Sequence, residues 1–187
     1  MEELLIFIEL IWGHGHVEIG LRNNLYGFWP DSWKSRRVPG SSVSNDDDAR
    51  KGGYYGELRI RDIDKLASYY NVIYQYEKDF IELPQFHIFS TQIETFTADE
   101  IVNKLSVLSI DPPEYSAYST NKSKNCVSLT LDLLKQINII EEEFSLPRRI
   151  PRPVDFFDKL FEMSKLDDGI KYEIRKLQPA KLTIMSK

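Results

Sequence analysis

Apolar residues fall into short blocks along this chain, and the blocks carry two different periods. Leu4 to Trp12 is almost wholly apolar and rich in Ile, the pattern of a strand covered on both faces and so central in its sheet. After Gly13-His14-Gly15, the residues His16 to Leu21 alternate, with Val17, Ile19 and Leu21 on one face and His16, Glu18 and Gly20 on the other. That spacing predicts a half-buried strand. Arg22-Asn23-Asn24-Leu25 predicts a tight hairpin with Asn23-Asn24 as its two-residue loop, because Asn tolerates the positive φ of such turns. Tyr26 to Trp29 is then the returning strand, stopped by Pro30.

From Asp31 to Gly53 the apolar pattern gives way to Ser, Gly, Pro and the run Asn45-Asp46-Asp47-Asp48, which predicts a long flexible loop, either mobile or a lid. Tyr54 to Arg61 alternates again, Asp62 to Tyr70 has the pattern of a short helix, and Tyr70 to Phe80 fits no single period. Phe86 to Thr91 predicts a further strand. Thr97 and Glu100 have the spacing of a capping box, and Ile101, Val102, Leu105 and Leu108 form one helical stripe that faces the sheet. Asp111-Pro112-Pro113 ends that helix. Tyr115 to Lys124 is a polar approach to Asn125-Cys126, after which Cys126, Leu129, Leu133 and Ile137 share a helical face. Val127, Leu129, Leu131 and Leu133 also alternate, but a dozen residues without a turn signal exceed the usual strand, so helix is the reading. Pro147 to Pro153 is a stiff connector and Val154 to Ser164 a last amphipathic helix; no internal repeat is present.

Composition narrows the class. The 187 residues fit one domain over 1–187, with hydrophobic residues at 42% and charged residues at 28% as in ordinary globular chains. A net charge of -5 offers no broad footprint for phosphate backbones, so nucleic acid is not an expected partner. Glu2, Glu3 and Glu9 interrupt the N-terminal apolar block where a signal peptide would be basic and then continuous, and no run approaches a membrane span. The expected location is the cytoplasm of the producing cell, with export by a signal-less secretion system as the alternative. The lone Cys126 excludes an internal disulfide and a paired-cysteine zinc site.

Cys126 is the residue with most chemical promise. In the first turn of its helix, unpaired N–H groups and the helix dipole favour a thiolate, and its helical face turns it toward the sheet. A solitary cysteine also fits an inert buried role. His16, opening its strand after the Gly-His-Gly turn, is the candidate general base, with His14 in the turn as competitor; a histidine satisfied by a carboxylate or carbonyl is the plainer reading. His14 and His16 lack a third ligand at regular spacing, so no metal and no cofactor are expected. If Asn23-Asn24 is the hairpin loop, Asp31 falls across from His16 and Glu18 across from Trp29, which makes Asp31 the candidate for orienting the base, against a plain loop acid. Asp46 to Asp48 lacks calcium-loop spacing, and the basic Pro147 to Pro153 segment lacks a P-x-x-P core.

Taken in order, Gly15-His16-Val17-Glu18-Ile19-Gly20-Leu21, then Tyr26-Gly27-Phe28-Trp29-Pro30, then Asn125-Cys126 opening a helix resemble the circularly permuted NlpC-type papain-like cysteine hydrolases, the lecithin:retinol acyltransferase-like and bacterial effector group. The resemblance spans roughly Leu4 to Met163. It implies an α+β papain-like fold, in which an antiparallel sheet packs against the helix carrying the cysteine at its N-terminus and the histidine strand precedes that helix. It also implies Cys126 as nucleophile and His16 as base in a cysteine amidase or peptidase working through a thioacyl intermediate. The third catalytic position has no unambiguous match. Peptide or protein amides are the implied substrates, peptidoglycan peptide or a deamidated target protein among them, and a secreted effector of this kind implies a cognate inhibitor or immunity protein. An acyltransferase or transglutaminase using the same dyad, and a catalytically inactive papain-like interaction protein, are the alternatives.

Overall fold

A computed structural model describes residues 1–11, 14–30, 54–65, 85–116, 123–146, 151–166 and 169–176. The expected loop from Asp31 to Gly53 with its acidic run, the aromatic stretch 70–80, most of the helix expected over 62–70, and parts of the 115–124 approach and the 147–153 connector lie outside the described residues.

Eight strands form one sheet: β1 Glu2–Ile11, β2 His14–Leu21, β3 Asn24–Pro30, β4 Tyr54–Asp62, β5 Gln85–Ile93, β6 Glu114–Tyr115, β7 Ser123–Lys124 and β8 Lys171–Lys176. Their spatial order is β7-β6-β4-β3-β2-β1-β5-β8. All neighbours are antiparallel except the short β6–β7 pair. Three helices accompany them: α1 Thr95–Ile110, α2 Cys126–Gln136 and α3 Pro153–Leu166. The class is α+β, and none of the described helices is long and apolar enough to cross a membrane.

β1 holds the central place its composition predicts. Leu4, Ile6 and Ile8 join Val17, Ile19, Leu21 and Phe89 in the main core beneath the helices, while Phe7 joins Leu25, Phe86 and Ile88 on the other face. Phe7 and Phe86 meet edge to face at 6.4 Å. Each such buried side chain contributes about 1.5–3 kcal/mol of transfer free energy, so the second face is a real core rather than a solvated one. Over the first face α1 buries Ala98, Ile101 and Leu105, α2 buries Leu129, Leu133 and Leu134, and α3 buries Phe156 and Leu160.

Three sequence expectations need correction. The hairpin turn is Arg22-Asn23, with φ of 50° and 64°, and Leu21 pairs with Asn24. Arg22 accepts the left-handed backbone because its guanidinium is anchored by Glu2 at 2.7 Å and Asp99 at 2.6 Å, while Asn23 binds Asp62 and Asp64 on the neighbouring segment. The ladder is therefore shifted, and Glu18 opposes Gly27 instead of Trp29. His14 is not in a turn but opens β2, paired with Ile11. Finally, α1 begins at Thr95 after Glu94 with no side-chain cap, because the chain passes from β5 into the helix through that one residue and leaves Thr97 inside the first turn.

Candidate active site

Cys126 is the first residue of α2, and its position follows from the residues around it. Asn125 caps the helix: its Oδ1 accepts from the Ser128 amide at 2.8 Å, and Ser128 Oγ accepts from the Asn125 amide at 2.9 Å. The Asn125 Nδ2 donates to the Pro151 carbonyl at 2.9 Å, which ties the approach to α3 over the start of α2. Pro153 in turn packs on Gly15, where a Cβ would come within 2.9 Å of the Pro153 side chain and 2.5 Å of the Glu9 carbonyl oxygen. Asn125→Ala is expected to lower stability by about 1–2 kcal/mol, read as a shift in the urea midpoint, since it removes a cap and a buried hydrogen bond together.

The thiol meets β2 at its main chain. The backbone N–H groups of Val17, Val127 and Cys126 itself all reach the sulfur and favour its ionised form. Burial outweighs them: with Cys126 only 5% exposed, and with the Glu18 charge nearby, the thiol is pushed up to about 11. The sequence expectation of a thiolate favoured by the helix start is thus corrected. Three N–H groups do not offset the loss of water around a buried charge. Alkylation of Cys126 by iodoacetamide is accordingly expected to rise with pH toward a midpoint near 11, whereas a free cysteine has its midpoint at about 8.5. Tyr115 lies close enough to register the Cys126 charge, and its phenol is held high, by burial first and by that charge second.

His16 precedes the residue whose amide faces the sulfur, but its ring leaves β2 on the opposite face from Val17. It stacks on Trp29 with ring centroids 3.5 Å apart, and its Nε2 lies 3.5 Å from Glu18 Oε1. Burial, then the charges of Arg61 and Arg59, hold the imidazole well below its usual range, so it is neutral at pH 7. The structure brings the thiol to the backbone beside His16, and among the described residues no hydrogen bond joins the two side chains. Asp31 lies outside the described residues; the register that placed it across from His16 is the one corrected above, and Trp29 takes the neighbouring place.

A comparison with solved structures finds a partial likeness to an effector. The match is to the crystal structure of the type VI secretion system effector TseH, over 94% of this chain and 98% of that one at 14% identity and a TM-score of 0.46. No protein-family model and no curated protein sequence matches the chain.

Around His16 the structure assembles a polar cluster that sequence reasoning did not single out. Glu18, 3% exposed, accepts from Arg61 Nη2 on its Oε2 at 2.5 Å, and its carboxyl is raised by burial but drawn back by Arg61. Arg59 lies over Trp29, 5.6 Å from the ring centroid, and Glu9 is the cross-strand neighbour of His16 on β1. Gly27 makes this possible: a Cβ there would come within 2.3 Å of Glu18 Oε1 and 2.7 Å of Trp29 Nε1. The available signal was the glycine opposite an in-strand acid, with Arg59 and Arg61 at strand spacing on the same face. Among the described residues no group of three or more His, Cys, Asp or Glu side chains is placed to hold a metal ion.

Proposed function

We propose that this chain is a papain-like cysteine amidase or peptidase in which Cys126 attacks an amide carbonyl and His16 shuttles the proton. The observation that supports it is the thiol in the first turn of a capped helix, meeting the backbone of β2 immediately beside a buried neutral histidine. A neutral imidazole is the form a general base needs, and helix-start N–H groups are the donors an oxyanion needs; one such donor contributes about 3–4 kcal/mol.

The energetics favour a particular order of events. With the thiol pushed up to about 11 and the imidazole held well below its usual range by burial, a resting thiolate–imidazolium pair is disfavoured. The proton therefore leaves sulfur for His16 as the S–C bond forms, not before. The amine departs with that proton, and water, deprotonated by His16, cleaves the thioester to release the acid and restore the thiol. The reading requires the ring to approach the sulfur when substrate binds, since catalytic hydrogen bonds are commonly longer without substrate. The motif order extends the proposal to an effector that acts on a peptide or protein amide of a target cell.

Incubation of the wild type and Cys126→Ala with peptidoglycan fragments and glutamine-bearing proteins, read by mass spectrometry, tests the reading. The wild type is expected to give mass changes of hydrolysis or deamidation and the variant none. A product made equally well by the variant removes the proposal. The high thiol and the missing Cys126–His16 hydrogen bond favour a second reading, a papain-like interaction protein without turnover. That reading requires no iodoacetamide adduct before unfolding and no product from any amide.

A further inference from the structure

We propose that Glu18 is the positioning residue for His16: Oε1 accepts a hydrogen bond from Nε2–H, Arg61 fixes Oε2, and Nδ1 is left bare to receive the proton of Cys126. The inference rests on the Cys126–His16 reading and supplies the orienting member that Asp31 was expected to be.

Geometry carries it. Nε2 and Oε1 are 3.5 Å apart and both buried, and neither makes a well-formed hydrogen bond among the described residues, although Trp29 Nε1 also faces the Glu18 carboxylate and favours its charged form. A small side-chain shift of about 0.5–0.8 Å brings them from 3.5 Å to the roughly 2.7–3.0 Å of a charge-assisted bond. The carboxylate cannot turn away, because Arg61 holds Oε2 from β4. Trp29, stacked on the imidazole at 3.5 Å, holds the plane of the ring while leaving it free to slide within that plane. The absent Cβ of Gly27 leaves the pocket into which both Oε1 and Trp29 Nε1 fit. An imidazole whose Nε2–H is claimed by a carboxylate presents an unprotonated Nδ1, the tautomer a general base requires. The charge has a second effect of opposite sign, since Glu18 raises the thiol that the oriented ring must deprotonate.

Glu18→Gln separates these roles. Arg61 offers only donors, so it claims the amide oxygen and turns the NH2 toward His16, which then must accept on Nε2 and carry its proton on Nδ1. In ¹⁵N-histidine-labelled protein, two-bond ¹H–¹⁵N spectra are expected to show His16 as Nε2–H in the wild type and as Nδ1–H in Glu18→Gln. Iodoacetamide alkylation at pH 7 is expected to slow by about tenfold or more. If Glu18 acted only by its charge, the variant thiol would ionise more readily and alkylation would speed up. A wild type dominated by Nδ1–H, an unchanged tautomer in Glu18→Gln, or faster alkylation overturns the inference. Should Glu18→Gln not fold, the wild-type spectrum decides alone. The two proposals fail separately: Cys126→Ala with full amide turnover removes the hydrolase, whereas an inactive Cys126→Ala beside an unchanged tautomer removes Glu18 only.

Discussion

Cys126→Ala and His16→Ala are each expected to lower amide turnover by about 10³-fold or more, and the double variant is expected to lose no more than the worse of the two. Nucleophile and base act as a unit. Without the sulfur there is nothing for the imidazole to deprotonate, and without the base a thiol near 11 supplies about one thiolate in 10⁴ at pH 7. Multiplying losses in the double variant would show two independent contributions and exclude the dyad. The measurement is kcat/KM for all four proteins, alongside denaturation curves. Cys126→Ala removes one buried sulfur atom and is expected to cost only about 1 kcal/mol of stability, so lost activity cannot be ascribed to lost fold.

Arg61→Met is expected to have the largest effect on stability, about 3–5 kcal/mol, because it leaves the Glu18 carboxylate buried beside β3 without its 2.5 Å partner. The loss depends on pH in a definite direction. An acid whose folded pKa is raised gives stability that is present below its unfolded value and lost as pH climbs through the folded one. Burial already raises Glu18, and removing Arg61 raises it further, so the deficit should be smaller at pH 5 than at pH 8. A Glu18→Leu/Arg61→Met double variant is expected to regain most of the deficit, since two apolar side chains need no desolvation. Urea denaturation at both pH values checks all three statements. A stable double variant that lacks turnover would indicate that the ion pair is kept for the reaction rather than for the fold.

Much of the scaffold is legible because its burial is one-sided or complete. Val17-Ile19-Leu21 against His16-Glu18-Gly20 announces a two-faced strand, and the structure keeps the apolar and polar faces apart, but the expected half-burial is corrected, since His16 and Glu18 are only 6% and 3% exposed. The helices are legible from length and stripe, as Cys126, Leu129, Leu133 and Ile137 are all buried. β8 was not foreseen: Lys171 to Lys176 is a charged edge strand whose Ile174 stays 50% exposed, so nothing in its pattern asks for a sheet. The expected hairpin loop was one residue late because Asn23-Asn24 carries the local turn preference, whereas the observed Arg22-Asn23 turn comes with long-range contacts of Arg22 to Glu2 and Asp99 that the local pattern does not show. For the site, the cysteine and histidine could be named from residue type and place. Glu18 could not, since an acid on the polar face of an alternating strand reads as solvated until β4 covers it with Arg61.

The placement of β1 also governs when this molecule can mature during synthesis. Its residues pair on one side with β2 almost at once, yet on the other side Glu2 waits for Ile93 and Glu9 for Phe86, and β5 itself waits for β8 near the far end of the described chain. Such distant pairings are slow, because the closure entropy is met before the contacts reward it. Until then β1 leaves Ile6, Phe7 and Ile8, which the finished sheet buries on both its faces, open to water as an adhesive ribbon.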